Sequence, residues 1–253
     1  MKKHLLLAVA PALLATAAHA QLTLSTGLDY SQGKYGGTVN TDQWTMPVVA
    51  KYEGSRWLVK ASLPYVWIHN VNPNARGENL PCGNAINTPS NVDGWGDLVT
   101  SGSYSVVQAN GLLVDVGGKV KFATGDKDKC LSSGKNDYSV FTDVAQQFGN
   151  FTAFGGIGWT AKGDPEFQGT TTNYRNPFFA NLGGAYKLTA STSLGASYDF
   201  RQRLTSRGDP ISEMTLFLTH KFTPNLKVQG YAIKGFSDAS PNFGVGGLVS
   251  VGF

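Results

Sequence analysis

Strict alternation of apolar and polar residues, repeated along most of the chain, is the feature that most limits how this sequence can fold. In the first stretch Leu22, Leu24 and Leu28 share one parity, while Thr23 and Asp29 share the other. Period-2 alternation over about 10 residues, bounded by turn residues, is typical of transmembrane β-strands. Further strands are predicted at 44–52, 57–67, 95–107, 112–123, 137–148, 151–162, 177–188, 192–203, 211–222, 226–236 and 242–253. We therefore expect an all-β fold, a transmembrane antiparallel β-barrel of about 12 strands.

The connections between these stretches alternate between short and long. Short turns are predicted at 53–55, 109–111, 149–150, 189–191 and 223–225, and longer connections at 31–42, 69–92, 124–136, 163–176, 204–210 and 237–241. Outer-membrane barrels have short periplasmic turns and longer external loops. The predicted termini lie on the short-turn side, so we expect both in the periplasm. A soluble β-sandwich or barrel is the alternative, since soluble barrels also alternate.

Composition argues against most soluble classes. Only 15% of the residues are charged, against about 25% in an ordinary soluble domain. The formal charge of +4 is small and no basic patch is present, so no nucleic-acid partner is expected.

The first 20 residues have the three parts of a bacterial secretory signal. Lys2 and Lys3 precede an apolar stretch at 5–15, and Ala18 and Ala20 form a small-x-small cleavage site. We expect residues 1–20 to be removed and residues 21–253 to form the barrel.

Aromatic residues mark both ends of the apolar faces, as a barrel held between two headgroup layers requires. The last stretch alternates from Phe243 to a terminal aromatic, Phe253. This ending resembles the C-terminal signal read by the barrel-assembly machinery. We therefore expect that machinery and outer-membrane lipids as partners, in the outer membrane of a Gram-negative bacterium.

The residues that alternate with the apolar face point into the lumen, and they include charged side chains of both signs together with aromatic rings. The expected pore-lining residues are Asp97, Asp115, Lys119, Lys121, Phe141, Asp143, Phe154, Phe179, Asp199, Arg201 and Arg203. The same parity places Trp95 inside. One interpretation is that such charges pair across neighbouring strands and stabilise the barrel; the other is a field that selects what passes. Aromatic and charged groups together favour a narrow path for small amphipathic or aromatic molecules.

No catalytic or metal-binding pattern stands out. His69 and His220 are the histidines that follow the signal, and neither has a Ser partner on its strand face or a nearby carboxylate in the sequence. Cys82 and Cys130 both fall in long connections, where an oxidising compartment favours a disulfide between them; two free thiols are the alternative. No metal and no cofactor is expected.

Two prolines interrupt strands that otherwise appear to span the membrane. If Tyr52 faced Trp57 across the first short turn, Pro47 would lie opposite Ser62 and Pro64 opposite Thr45. The missing N–H donors would then fall either in the seam between these strands or one in each flanking seam. A structural bulge is one interpretation, and a lateral opening at Pro47 and Pro64 is the other.

Three segments resemble an outer-membrane family named for the MetA pathway of phenol degradation. They are Gly94-Trp95-Gly96-Asp97-Leu98, the stretch DVGGKVKFATGD at 115–126, and the stretch DYSVFTDVAQQFGNFTAFGGIGWTAKGD at 137–164. The resemblance extends over residues 40 to 253, although the Lys-x-Pro-Thr-Gly-like element lacks its proline at 121–125. It implies a transporter-like barrel linked to aromatic compounds and assigns no binding residues.

The sequence thus predicts a monomeric outer-membrane channel for passive uptake of small solutes, aromatic or hydrophobic ones among them. A barrel plugged by its own side chains, acting as a structural or interaction protein through its external loops, is the alternative. A lipid-modifying enzyme comes third.

Overall fold

A computed structural model describes residues 21–71, 91–167, 170–206 and 208–253. The predicted signal at 1–20 lies outside these residues and stays a prediction. Within the described residues, the main sheet closes on itself because β2 (Thr41–Glu53) pairs with both β1 (Gln21–Gly33) and β3 (Trp57–His69). Every seam of the main sheet is antiparallel, so the wall is a barrel with no free edge.

The other strands follow in chain order around the wall. They are β4 (Asn91–Trp95), β5 (Val99–Ala109), β6 (Leu112–Lys121), β7 (Asp137–Phe148), β8 (Phe151–Ala161), the short β9 (Glu166–Phe167) and β10 (Thr170–Thr171), β11 (Phe178–Lys187), β12 (Thr192–Arg201), β13 (Ile211–Lys221), β14 (Leu226–Gly235) and β15 (Phe243–Gly252). We call the end of the barrel with the long connections the external end and the opposite end the periplasmic end. Strands β9 and β10 form a separate hairpin in one of the long connections. Because β4 and β5 pair end to end with β3, the described residues build a wall of twelve strand positions. The predicted fold class is confirmed.

The two faces of the wall differ as the alternation predicts. Outward side chains are apolar and exposed, as at Leu28, Ile157 and Leu182, which are 48%, 67% and 70% exposed. Inward neighbours are polar, small or aromatic and are buried or half-buried. The apolar outer surface is the surface that meets lipid.

The long and short connections alternate around the barrel as predicted. Exposed aromatic side chains lie on the outward face near both ends: Trp44, Tyr52, Trp57, Phe122, Tyr138, Phe148, Phe151, Phe178, Tyr186, Phe200, Phe222 and Phe243. The described residues contain no helix long and apolar enough to cross a membrane.

The fourth wall strand departs from the prediction. Instead of one strand at 95–107, β4 and β5 are separated by residues 96–98. The interruption reverses the expected orientation of Trp95, which is 47% exposed and packs edge-on against the outward Tyr65 with ring centroids 5.1 Å apart. Arg203 was predicted to end the strand at 192–203, but it lies beyond the observed strand because β12 ends at Arg201.

Candidate functional site

The inner face of the wall carries aromatic rings whose outer ring atoms lie close to glycines of the neighbouring strand. Phe141 lies opposite Gly117, and Phe179 lies opposite Gly158. A Cβ atom at either glycine would collide with the Cζ atom of the facing ring. The glycines therefore seat the rings against the wall and keep them out of the middle of the lumen.

The same arrangement recurs around the barrel. A Cβ would meet the facing ring at Gly183 (Phe154), Gly195 (Phe217) and Gly246 (Tyr231). Tyr231 also donates a hydrogen bond from its hydroxyl to Asp29. Phe141, Phe154 and Phe179 stay half-exposed, so solvent reaches their free faces.

Acidic side chains form a second feature of the wall, which we call the carboxylate row: Asp115, Asp143, Asp199 and Glu213. Asp115 lies directly opposite Asp143, and Asp199 directly opposite Glu213. Asp143 and Asp199 belong to the same cross-strand line because Gly156 and Asn181 connect them. Like charges that face each other across a seam destabilise a sheet. The interpretation that these charges pair directly across the seams to stabilise the barrel is therefore wrong for these two facing pairs.

Basic side chains form a parallel line, the lysine row: Lys51, Lys60 and Lys119. Lys51 lies directly opposite Lys60, and Ser101 connects Lys60 to Lys119. Because strands of a barrel are tilted, a line of cross-strand neighbours climbs the wall. The lysine row accordingly rises from near the periplasmic end of β2 to the external half of β6.

One described contact within the lumen joins two residues that are distant along the wall, Lys119 and Phe179. The Nζ atom of Lys119 lies 4.9 Å from the centroid of the Phe179 ring. Three seams separate β6 from β11 along the wall, so the lysine reaches over the curved interior to meet the ring. The charge of Lys119 also acts on Asp143. Cation, aromatic face and carboxylate thus meet at one level of the lumen.

Asp97 and Lys121, both expected to line the pore, lie instead in a buried ion network. The Lys121 Nζ atom is 2.9 Å from Asp97 Oδ2 and 3.7 Å from Asp137 Oδ2, and these side chains are at most 4% exposed. Lys121 also donates to Ser133 Oγ at 3.0 Å and to the carbonyl oxygen of Lys135 at 2.6 Å. The network fastens the 122–136 connection to the inner wall.

That connection folds inward at the external mouth. Leu131 is 1% exposed and belongs to an apolar cluster with Tyr35, Val66, Ile68, Val71, Val92 and Cys130. Burial raises the pKa of the Tyr35 hydroxyl, which therefore stays neutral. The cluster narrows the mouth on the side of β3 and β4.

Cys130 is disulfide-bonded and buried within the same cluster. Cys82 lies outside the described residues. The pairing of Cys82 with Cys130 therefore stays a prediction.

Pro47 and Pro64 lie directly opposite each other, which corrects the predicted register. Tyr52 faces Val59 rather than Trp57, because the turn at 54–56 begins one residue later than the predicted turn at 53–55. The seam between β2 and β3 is continuous past the prolines, whereas the β1–β2 pairing skips the position of Pro47. On the other side, the partner of β3 changes from β5 to β4 at Pro64. One interruption therefore falls in each flanking seam, the second of the two predicted arrangements.

The remaining predicted residues differ in how far they reach the lumen. Arg201 is 8% exposed and lies opposite Phe179, while Arg203 is exposed in the external connection. His220 lies on the outward face with its Nδ1 atom 2.8 Å from Thr192 Oγ1. In the described part of the chain, no three His, Cys, Asp or Glu side chains are grouped to hold a metal ion.

Some features of the lumen were missed by the sequence analysis. Alternation along β2 and β3 puts Lys51 and Lys60 on the lumen side. That the two lysines face each other depends on the register of these strands, which the sequence does not indicate. The glycines that lie under the rings did have a signal in the sequence, because glycines are frequent at inward positions on strands next to inward aromatic residues.

These features define the class: an outer-membrane β-barrel whose outer belt is apolar and whose inward face is polar, charged and aromatic, the fold of outer-membrane channels and porins. The barrel is similar to an outer-membrane channel from Pseudomonas putida F1, with a TM-score of 0.69 and 15% identity over 94% of this chain and 97% of that chain. It is also similar to the NanC porin, with a TM-score of 0.58 and 10% identity over 91% of this chain and 98% of that chain. For the KdgM porin the TM-score is 0.54 and the identity 8%, over 91% of this chain and 98% of that chain.

The predicted location in the outer membrane of a Gram-negative bacterium agrees with this fold and with the apolar belt. No family model and no curated protein sequence matches the chain. Membership in the family named for phenol degradation therefore stays a prediction.

Proposed function

We propose that this protein is a channel for passive uptake of small solutes, aromatic ones among them. The observation that carries the proposal is the seating of inward rings over glycines. Phe141, Phe154 and Phe179 are held against the wall, while their free faces stay half-exposed to the lumen. A barrel plugged by its own side chains would instead direct such rings inward and bury them.

A glycine substitution tests this proposal. In Gly158→Ala the added methyl group would collide with the Cζ atom of Phe179 and would lie 2.6 Å from the backbone oxygen of Val140, so the ring must move toward the lumen and the β7–β8 seam must also adjust. We expect a lower single-channel conductance in planar bilayers and slower swelling of liposomes in a small neutral aromatic solute. Gly118→Ala is the matched control, because its Cβ would have only Ser139 O at 3.7 Å. A folded wild-type protein that conducts nothing would contradict the channel and support the plugged barrel.

We also propose, as a second route, that apolar solutes leave sideways at Pro47 and Pro64. The interruptions of the two flanking seams at these prolines support it. In Pro47→Val with Pro64→Val, uptake of an apolar aromatic should slow while small-ion conductance is unchanged. Equal uptake by the assembled double variant and the wild type would leave the prolines with a structural role alone.

A further inference from the structure

We infer that the lumen holds a recognition site for aromatic carboxylates, formed by Lys119 and Phe179 and continued toward the periplasm by Lys60 and Lys51. This inference rests on the proposed channel and names the class of solute that the channel selects. It follows from three properties of the wall: the position of the aromatic rings, the facing of like charges and the direction of the lysine row.

The aromatic rings lie between the lysine row and the carboxylate row. On β6 the inward positions are Asp115, Gly117 and Lys119 in succession, and the line through Gly117 continues across Phe141 and Gly158 to Phe179. A planar ring that stacks on these faces therefore has the Lys119 ammonium group at one edge. Offset stacking of aromatic rings contributes about 0.5–1.5 kcal/mol beyond burial.

The lysine row is costly as a purely structural feature. Lys51 and Lys60 face each other directly, which destabilises the β2–β3 seam. Lys51 has an ion pair with Glu53 at 2.7 Å. No ion pair or hydrogen bond in the described residues engages the Lys60 ammonium group. An ammonium group placed in this way is available to an anionic solute that passes it.

The acidic side chains are less available to a solute. Asp115 accepts a hydrogen bond from Ser105 Oγ at 2.6 Å. Asp143 lies against the wall, because a Cβ at Gly156 would collide with its Oδ1 atom. Lys119, which lies over the Phe179 ring, is therefore better placed than these two carboxylates to meet a solute beside that ring. This favours an anionic aromatic solute over a cationic one.

The lysine row gives the site a direction. From Lys119 in the external half, Ser101 and then Lys60 and Lys51 follow at successive strands toward the periplasmic end. Neighbouring strands lie about 4.8 Å apart, so consecutive lysines are within one or two strand spacings. A carboxylate can move from one ammonium group to the next while its ring leaves the aromatic faces.

Block of single-channel current by benzoate tests the inference on the folded full-length barrel. In Lys119→Gln we expect the half-blocking concentration to rise about tenfold, the effect of losing one charge-assisted hydrogen bond. In Phe179→Leu we expect a rise of about threefold. Lys187→Gln is the matched control, because it removes one inward positive charge from β11, away from the lysine row. Its half-blocking concentration should equal that of the wild type.

Two comparisons distinguish a recognition site for aromatic carboxylates from a general effect of charge in the channel. Cyclohexanecarboxylate has the same charge without an aromatic face, and it should block more weakly than benzoate. Equal block by the two acids, or equal shifts in Lys119→Gln and Lys187→Gln, would overturn the recognition site while leaving the channel in place. A wild-type barrel that conducts no ions would overturn the channel and, with it, the site. Migration of the unheated protein in SDS gels shows that each variant has folded.

Discussion

The substitution Lys121→Met tests whether the buried ion network holds the 122–136 connection in the mouth. The change keeps the length and bulk of the side chain and removes its charge. Asp137 retains Lys162 Nζ at 3.1 Å and the Gly163 backbone N–H at 3.2 Å. Asp97 retains only a neutral donor in this network, the Gly125 backbone N–H at 3.1 Å. The substitution therefore leaves a buried carboxylate without its cation.

Removing one partner of a buried ion pair costs about 3–5 kcal/mol. If this energy is lost from docking of the connection, the undocked population rises by about two to four orders of magnitude. Leu131 is 1% exposed in the docked state, so chymotrypsin can cleave after it only when the connection opens. Cleavage follows the open population when opening and closing are fast. We expect Lys121→Met to be cleaved at Leu131 far faster than the wild type.

Lys127→Met is the matched control for this experiment. Lys127 lies in the same connection and pairs with Asp128 at 3.0 Å, but the two side chains are 63% and 79% exposed. Such exposed pairs contribute about 0–1 kcal/mol, so cleavage at Leu131 should be nearly unchanged. If folded Lys121→Met and Lys127→Met are cleaved at the same rate, the network does not hold the connection.

Three further predictions concern the ends of the barrel. Arg201→Glu with Arg203→Glu should shift the reversal potential toward cations, and an unchanged potential would place both residues off the ion path. A non-reduced digest should contain a Cys82–Cys130 peptide by mass spectrometry, with a stabilisation of about 4 kcal/mol in the chain-entropy model; two separately alkylated thiols would exclude the bond. Protease added to intact cells should cleave the β3–β4 connection and spare the β7–β8 turn, and the reverse pattern would invert the assigned topology.

The wall could be predicted from the sequence because the two faces of a membrane strand meet different solvents. Lipid requires an apolar side chain at every second residue, and this constraint operates locally. The predicted strand at 137–148 therefore coincides with β7, Asp137–Phe148. The other predicted boundaries within the described residues differ mainly at the external ends, as at β12, where the chain leaves the membrane.

Register and loop packing could not be predicted in the same way. The register of β2 and β3 depends on where the turn begins, and a predicted start one residue too early misplaced Pro47 and Pro64 by one inward position. The inward fold of the 122–136 connection depends on Lys121 meeting Asp97, which is remote in sequence. Alternation assigns both residues to the lumen side but does not show that a loop encloses them.

The seating of rings over glycines also bears on how faithfully the barrel assembles. Alternation alone tolerates a slip of two residues, because such a slip returns every side chain to its own face. A slip of two at the β6–β7 seam, however, would move Phe141 from Gly117 onto Asp115 or Lys119. At the β12–β13 seam, Phe217 would move from Gly195 onto Ser193 or Ser197. The glycines thus help to fix the register of strand pairing, and in evolution such a glycine can be replaced only after the facing ring is lost or together with it.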